Sequence, residues 1–143
     1  MGKVTAIIVA AGRGSRMNSS VKKQYMLIDG KPLLYYTLKA FEKSEVDNIV
    51  LVTSEEDIAY CVMDILDRYA IQKVSHVVTG GSQRYQSVYS GLVHAEDSEY
   101  VLIHDGARPL ITPELINDNI RCVKEKKACV TAVPSKDTVK IAD

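Results

Sequence analysis

The run Val4-Thr5-Ala6-Ile7-Ile8-Val9 stops at Ala10-Ala11-Gly12-Arg13-Gly14-Ser15-Arg16-Met17, and Lys22-Lys23-Gln24-Tyr25 follows. This junction limits what the chain can fold into more than any other stretch. A short apolar run rich in β-branched residues reads as a buried strand, here about Thr5 to Val9. The small residues Ala10, Ala11, Gly12 and Gly14 let a ligand approach the backbone. Successive N–H groups in such a turn can form a concave anion site. Arg16 and Lys23 add fixed positive charge beside it, so the junction is suited to holding phosphate.

Two common phosphate-binding patterns do not fit. A P-loop needs G-x-x-x-x-G-K-[ST], and no Gly-Lys-Ser/Thr occurs here. A dinucleotide fingerprint needs a third glycine where Met17 stands. Asn18, Ser19 and Ser20 then favour loop over helix. Two cations inside the loop suit a triphosphate better than a pyrophosphate held by backbone alone.

The rest of the chain alternates strands and helices. Asp29-Gly30 reads as a turn. Pro32 suits the first turn of a helix whose inner face is Leu34, Leu38 and Phe41. Asn48 to Thr53 is a second strand, apolar on both faces. Ser54 is expected to cap the next helix, with Asp57 in the capping-box position and an inner stripe of Ile58, Val62, Ile65, Leu66 and Tyr69. A third strand runs from about Lys73 to Thr79. Gly80-Gly81-Ser82 ends it, and Ser82 is expected to cap a helix packed through Val88, Leu92 and Ala95. A fourth strand, Tyr100 to His104, leads into Asp105-Gly106-Ala107-Arg108-Pro109. Thr112-Pro113 opens a helix striped by Leu115, Ile116, Ile120 and Val123. A fifth strand is expected from Ala128 to Val133. This order implies an α/β fold with a doubly wound, mostly parallel sheet in three layers and right-handed crossovers. The loops after Val9, Thr79 and His104 should then meet at one edge.

Lys plus Arg and Asp plus Glu number 18 each in 143 residues, so nothing advertises a nucleic-acid or membrane partner. The length suits a single domain. No stretch has membrane-spanning length or the pattern of a secretory leader. Cys61, Cys122 and Cys129 lack metal-binding spacing and read as reduced core cysteines of a cytoplasmic protein.

Four blocks together resemble one family: Ala10 to Met17; Lys23-Gln24-Tyr25; Gly80-Gly81-Ser82-Gln83-Arg84-Tyr85-Gln86-Ser87-Val88; and His104-Asp105-Gly106-Ala107-Arg108-Pro109. They are similar to the nucleotidyltransferases that activate sugar and polyol phosphates, above all the 2-C-methyl-D-erythritol 4-phosphate cytidylyltransferases of isoprenoid synthesis. The resemblance implies a Rossmann-like nucleotidyltransferase fold over residues 1–143. It implies CTP held by Ala10, Ala11, Gly12 and Gly14, with Gly81, Ser82 and Ser87 forming the base pocket. Asp105, Gly106, Ala107, Arg108 and Thr138 are implied on the polyol-phosphate side. Arg16 and Lys23 are the expected transition-state cations, with Lys22 able to stand in for Lys23. Mg²⁺ is expected to be held mainly by the triphosphate, with no dedicated protein metal site.

The family continues beyond residue 143, so the resemblance also implies a chain shortened at the start of a dimerisation arm, Lys136 to Lys140, and a homodimer at full length. A ribitol-phosphate acceptor is the runner-up, less favoured because its relatives usually carry a bulkier residue in place of Ala107. A CTP-binding module without turnover is the alternative of a different class. An NAD-dependent dehydrogenase is more distant, although Asp29 lies near the spacing of a ribose-binding carboxylate. His104 reads as a strand-end histidine with a satisfied ring, because a phosphate nucleophile is already ionised and needs no strong base.

Overall fold

A computed structural model of the chain describes residues 2–13 and 20–142. Strand β1 (Val4–Val9) is buried along its whole length, as is the strand beside it, Asn48–Thr53. Two apolar faces on a strand require cover on both sides. The sheet meets that need with four parallel strands. After β1 come a short hairpin of β2 (Leu27–Ile28) and β3 (Lys31–Pro32), then β4 (Asn48–Thr53), β5 (Val74–Thr79) and β6 (Tyr100–Asp105). The order across the main sheet is β5-β4-β1-β6, all parallel. Chain direction across the sheet therefore reverses between β1 and β6, which is where open α/β sheets bind ligands.

Helices cover both faces. On one side lie α1 (Leu33–Glu42), α2 (Ile58–Tyr60, continued by π-helical turns over Cys61–Asp67) and α4 (Pro113–Lys126). Leu34, Leu38 and Phe41 of α1 are buried as the spacing requires, with Ile65 from the π-helical turns and Ile116 and Ile120 from α4. The opposite face, Ile7, Val9, Val50 and Val52, is covered by α3 (Arg84–Val93).

Local chemistry places most of the boundaries. Asp29 (φ 51°) and Gly30 (φ 76°) form the β2–β3 turn, and left-handed backbone at both positions is what a two-residue hairpin needs. Asp29 is thus an exposed hairpin tip and sits on no nucleotide-facing strand end. Pro32 stands one residue ahead of α1 rather than inside it. Thr112 caps α4 by accepting the Leu115 N–H at 3.2 Å, with Pro113 at the first position.

Several expectations are corrected. Ser54 and Asp57 do not cap α2; their oxygens go to Lys22 instead. Gln83, not Ser82, caps α3, in a reciprocal box with Gln86. The inner face of α3 is rotated to Ser87 and Gly91, leaving Leu92 39% exposed. Cys61 is buried, but Cys129 is exposed and Cys122 only half-buried. No fifth strand forms over Ala128 to Val133. A β-branched run becomes a strand only with a partner ladder. Here Cys129 and Thr131 bond to Asn119 of α4, and Val130 and Val133 remain exposed.

Gly91 explains the rotation of α3. A Cβ there would lie 2.5 Å from Ile7 Cγ2, so only glycine lets the helix rest on β1. Alanine gains about 1 kcal/mol of helix propensity over glycine. Overpacking costs about 1–3 kcal/mol. Gly91→Ala is therefore expected to lower the urea midpoint despite its better propensity. A midpoint at or above wild type would contradict this packing.

Candidate functional site

Three loops leave the carboxyl ends of β1, β5 and β6 and meet. The first is fastened to β4, where the Ala10 N–H donates to Val52 O at 2.7 Å. The second leaves the edge strand β5 still tied to β4, the Gly80 N–H donating to Thr53 O at 2.8 Å. Gly80 then lies beside Ala11: a Cβ on Gly80 would lie 2.7 Å from Ala11 Cβ and 2.4 Å from Ser87 Oγ. The third loop closes on β1, with the Gly106 N–H donating to Val9 O at 2.8 Å and the Gly106 carbonyl accepting from Thr37 Oγ1 at 2.8 Å. A Cβ on Gly106 would stand 3.1 Å from Ala10 Cβ. Small residues at Ala10, Ala11, Gly80 and Gly106 thus permit the convergence that their positions in sequence suggested.

Within the first loop, Ala10 is buried, Ala11 half-buried, and Gly12 exposed with open space where a side chain would begin. Gly14 and Arg16 fall outside the described residues. Gln24 holds the loop's shape, its amide Nε2 donating to Ala10 O at 2.8 Å and Gly12 O at 2.9 Å. Tyr25 is buried, its hydroxyl 2.8 Å from Thr53 Oγ1 and near the Cys61 thiol. Burial pushes both the phenol and the thiol above their usual pKa ranges, so neither ionises near neutrality. Lys23 is exposed. Lys22 is not its stand-in, because its ammonium is taken up by Ser54, Glu56 and Asp57.

In the second loop, Ser87 is 2% exposed and its hydroxyl accepts the Gly81 N–H at 3.2 Å. Ser87 therefore shapes the turn from beneath. Gly81 and Ser82 are exposed above it, with Ser82 Oγ donating to Gln86 Oε1 at 3.0 Å. They border a cleft of 1070 Å³ that runs along α3 past Arg84, Tyr85 and Tyr89. In the third loop, Asp105 Oδ1 accepts the Ala107 N–H at 2.9 Å, while Oδ2 lies 3.9 Å from Arg108 Nε. Ala107 is half-buried, and the Arg108 side chain is 78% exposed. Asp105, Arg108 and His104 line a second cleft of 540 Å³. Arg84 borders both clefts.

His104 is as the sequence suggested. Its ring Nε2–H donates to Arg108 O at 3.0 Å and the ring packs on Phe41. Burial holds its pKa below the usual histidine value. Thr138 lies in the exposed run after α4, and among the described residues no hydrogen bond ties it to the three loops. Sequence reasoning missed Gln24, Thr37 and Thr53 as contributors. Gln24 stands inside a quoted motif. Thr37 and Thr53 carry no local signal, because their hydroxyls act on loops distant in sequence.

Among the described residues no group of three or more His, Cys, Asp or Glu side chains could hold a metal ion, and no helix is long and apolar enough to cross a membrane. Asp105 Oδ2 is the carboxylate oxygen available at the mouth of the third loop. That donor set fits a divalent ion carried mainly by phosphate oxygens and water.

A family model described as IspD, 2-C-methyl-D-erythritol 4-phosphate cytidylyltransferase, matches residues 4–143. The protein of that name from Lachnoclostridium phytofermentans is 58% identical over 142 residues, covering 99% of this chain and 61% of the relative. The one from Clostridium novyi is 50% identical over 142 residues, covering 99% and 62%. The crystal structure of 4-diphosphocytidyl-2C-methyl-D-erythritol synthase from Anaerococcus prevotii superposes with a TM-score of 0.83 at 36% identity, over 99% of this chain and 59% of that one. The chain thus spans about three-fifths of the length of these relatives. With its strand order, its three converging loops and a match running from Val4 to the last residue, the chain belongs to the 2-C-methyl-D-erythritol 4-phosphate cytidylyltransferase family.

Proposed function

We propose that this chain carries the nucleotide half, and much of the acceptor half, of a site that transfers the cytidylyl group of CTP to 2-C-methyl-D-erythritol 4-phosphate. The observation that carries the reading is the approach of Gly80 to Ala11 and of Gly106 to Ala10, which brings the loops after β5 and β6 against the loop after β1. In this reading the triphosphate lies along Ala10, Ala11, Gly12 and Gly14. The base enters the cleft bordered by Gly81 and Ser82, whose turn Ser87 supports. The acceptor phosphate meets Arg108, Asp105 and the small residues Gly106 and Ala107. Ala107 leaves room that a bulkier residue would fill, which favours the methylerythritol phosphate over ribitol phosphate. Thr138 and a pairing of two copies through the exposed segment after Lys136 belong to the same reading.

The chemistry follows from charge. An acceptor phosphate oxygen attacks the α-phosphorus of CTP, the new P–O bond forms, and the bond to the departing pyrophosphate breaks. The attacking oxygen is already anionic, so no general base is required. His104 is accounted for structurally, its ring N–H bound to Arg108 O and its ring packed on Phe41. As the transition state forms, negative charge grows on non-bridging oxygens, and fixed cations stabilise it more than the ground state. Lys23 and Arg16 supply those cations from the first loop. Mg²⁺, when bound with CTP, neutralises part of the triphosphate charge. The residues here orient the reactants, and positioning together with electrostatic stabilisation carries the catalysis in such transfers.

Pyrophosphate release with CTP should be faster with methylerythritol phosphate than with ribitol phosphate. The reverse preference would move the acceptor to ribitol phosphate, and CTP binding without release would favour a binding module. Lys23→Ala is expected to lower kcat by about 10²–10³-fold while circular dichroism and thermal unfolding remain those of wild type. A variant retaining near-full rate would remove Lys23 from the mechanism. Gly80→Val should abolish CTP binding in calorimetry, because its side chain meets Ala11 and Ser87. Unchanged affinity would contradict the convergence of the first two loops.

A further inference from the structure

Three of the four consecutive residues Lys22 to Tyr25 divide the work of fixing the first loop. Gln24 holds the carbonyls of Ala10 and Gly12, and Tyr25 is buried against Thr53. Lys22 Nζ lies 2.9 Å from Ser54 Oγ, 2.7 Å from Glu56 Oε1 and 2.5 Å from Asp57 Oδ2. The Lys22 and Asp57 side chains are each 18% exposed, whereas Glu56 is 71% exposed, so Asp57 is the partner that water screens least. Asp57 is held in turn by the Ser54 hydroxyl. Lys23 makes no side-chain hydrogen bond or ion pair among the described residues. The backbone at Lys22 is extended (φ −62°, ψ 141°), which directs neighbouring side chains apart.

We infer that Lys22 is a positioning residue for the transfer site: fastened to Asp57 and Ser54 on the turn after β4, it turns Lys23 outward to the triphosphate. The inference rests on the function proposed above. Its physical basis is that a lysine stem is flexible and its ammonium is a point charge. Without a fixed backbone beneath it, Lys23 would spread its charge over many positions. The Lys22 socket joins the residue before Lys23 to the turn after β4, while Gln24 and Tyr25 fix the residues behind it. The acidic cluster Glu56–Asp57 thereby has a task in the site without holding a metal.

The test is a thermodynamic cycle read by calorimetric titration with CTP and Mg²⁺. Lys22→Met retains the stem and loses the charge. It is expected to weaken CTP binding about tenfold, as Lys23→Ala does. In the Lys23→Ala background it should cost less than about threefold, because the residue it positions is gone. Lys22→Arg should restore affinity to within about threefold of wild type. Asp57→Asn reads the same socket from the other side if Lys22→Met fails to fold, and should behave as Lys22→Met does. Losses that multiply in the double variant, or unaltered affinity in both Lys22→Met and Asp57→Asn, would overturn the inference while leaving the CTP reading intact. A folded wild-type chain that does not bind CTP would overturn the functional reading and this inference with it.

Discussion

The carboxyl end of β4 is the support on which the site depends. Val52 O takes the Ala10 N–H, Thr53 O takes the Gly80 N–H, and Thr53 Oγ1 meets the Tyr25 hydroxyl. One residue later Ser54 takes the Lys22 ammonium, which Asp57 on the same turn shares. Three successive residues therefore locate the loop after β1, its return through Lys22–Tyr25, and the loop after β5. Each bond is worth only about 1 kcal/mol by itself. Their force lies in being shared: a shift of the β4 end would unpair buried groups on two other loops together. Both faces of β4 are packed, so its end is held by the core rather than by the loops it supports.

That dependence explains what could be read from sequence and what could not. The strands β1 and β4 were legible because continuous apolar runs have few alternative placements. The α1 and α4 stripes were legible because their buried residues recur at helical spacing. The capping of α2 was misread because Ser54 and Asp57 have the right spacing for a helix start, and spacing carries no sign of an ammonium arriving from Lys22. The inner face of α3 was misread because periodicity follows large apolar residues, whereas the close approach there is made by Gly91. The run Ala128 to Val133 has strand composition, but composition does not supply a neighbouring ladder.

The site followed the same division. Ala10, Ala11, Gly12, Gly81, Asp105 and Gly106 stand out in the sequence as small residues and charge at strand ends, and the fold brings their loops together. Gln24, Thr37 and Thr53 do not, since each side chain acts on a group distant in sequence. Lys22 and Lys23 look equivalent as adjacent letters. In the fold one is paired with Asp57 and the other is exposed. Membership of the cytidylyltransferase family gives these loops their chemical context. The geometry adds how the parts are held in register.

Hydrogen exchange measured with and without ligand tests the central claim most directly, that the three loops form one site. With saturating CTP and Mg²⁺, amides in the Ala10–Gly12 and Gly80–Ser87 segments should slow together. Addition of the acceptor phosphate should then slow Gly106 to Arg108, while the exposed outer face of α4 is unaffected. Protection confined to a single loop in a chain that demonstrably binds CTP would contradict the account.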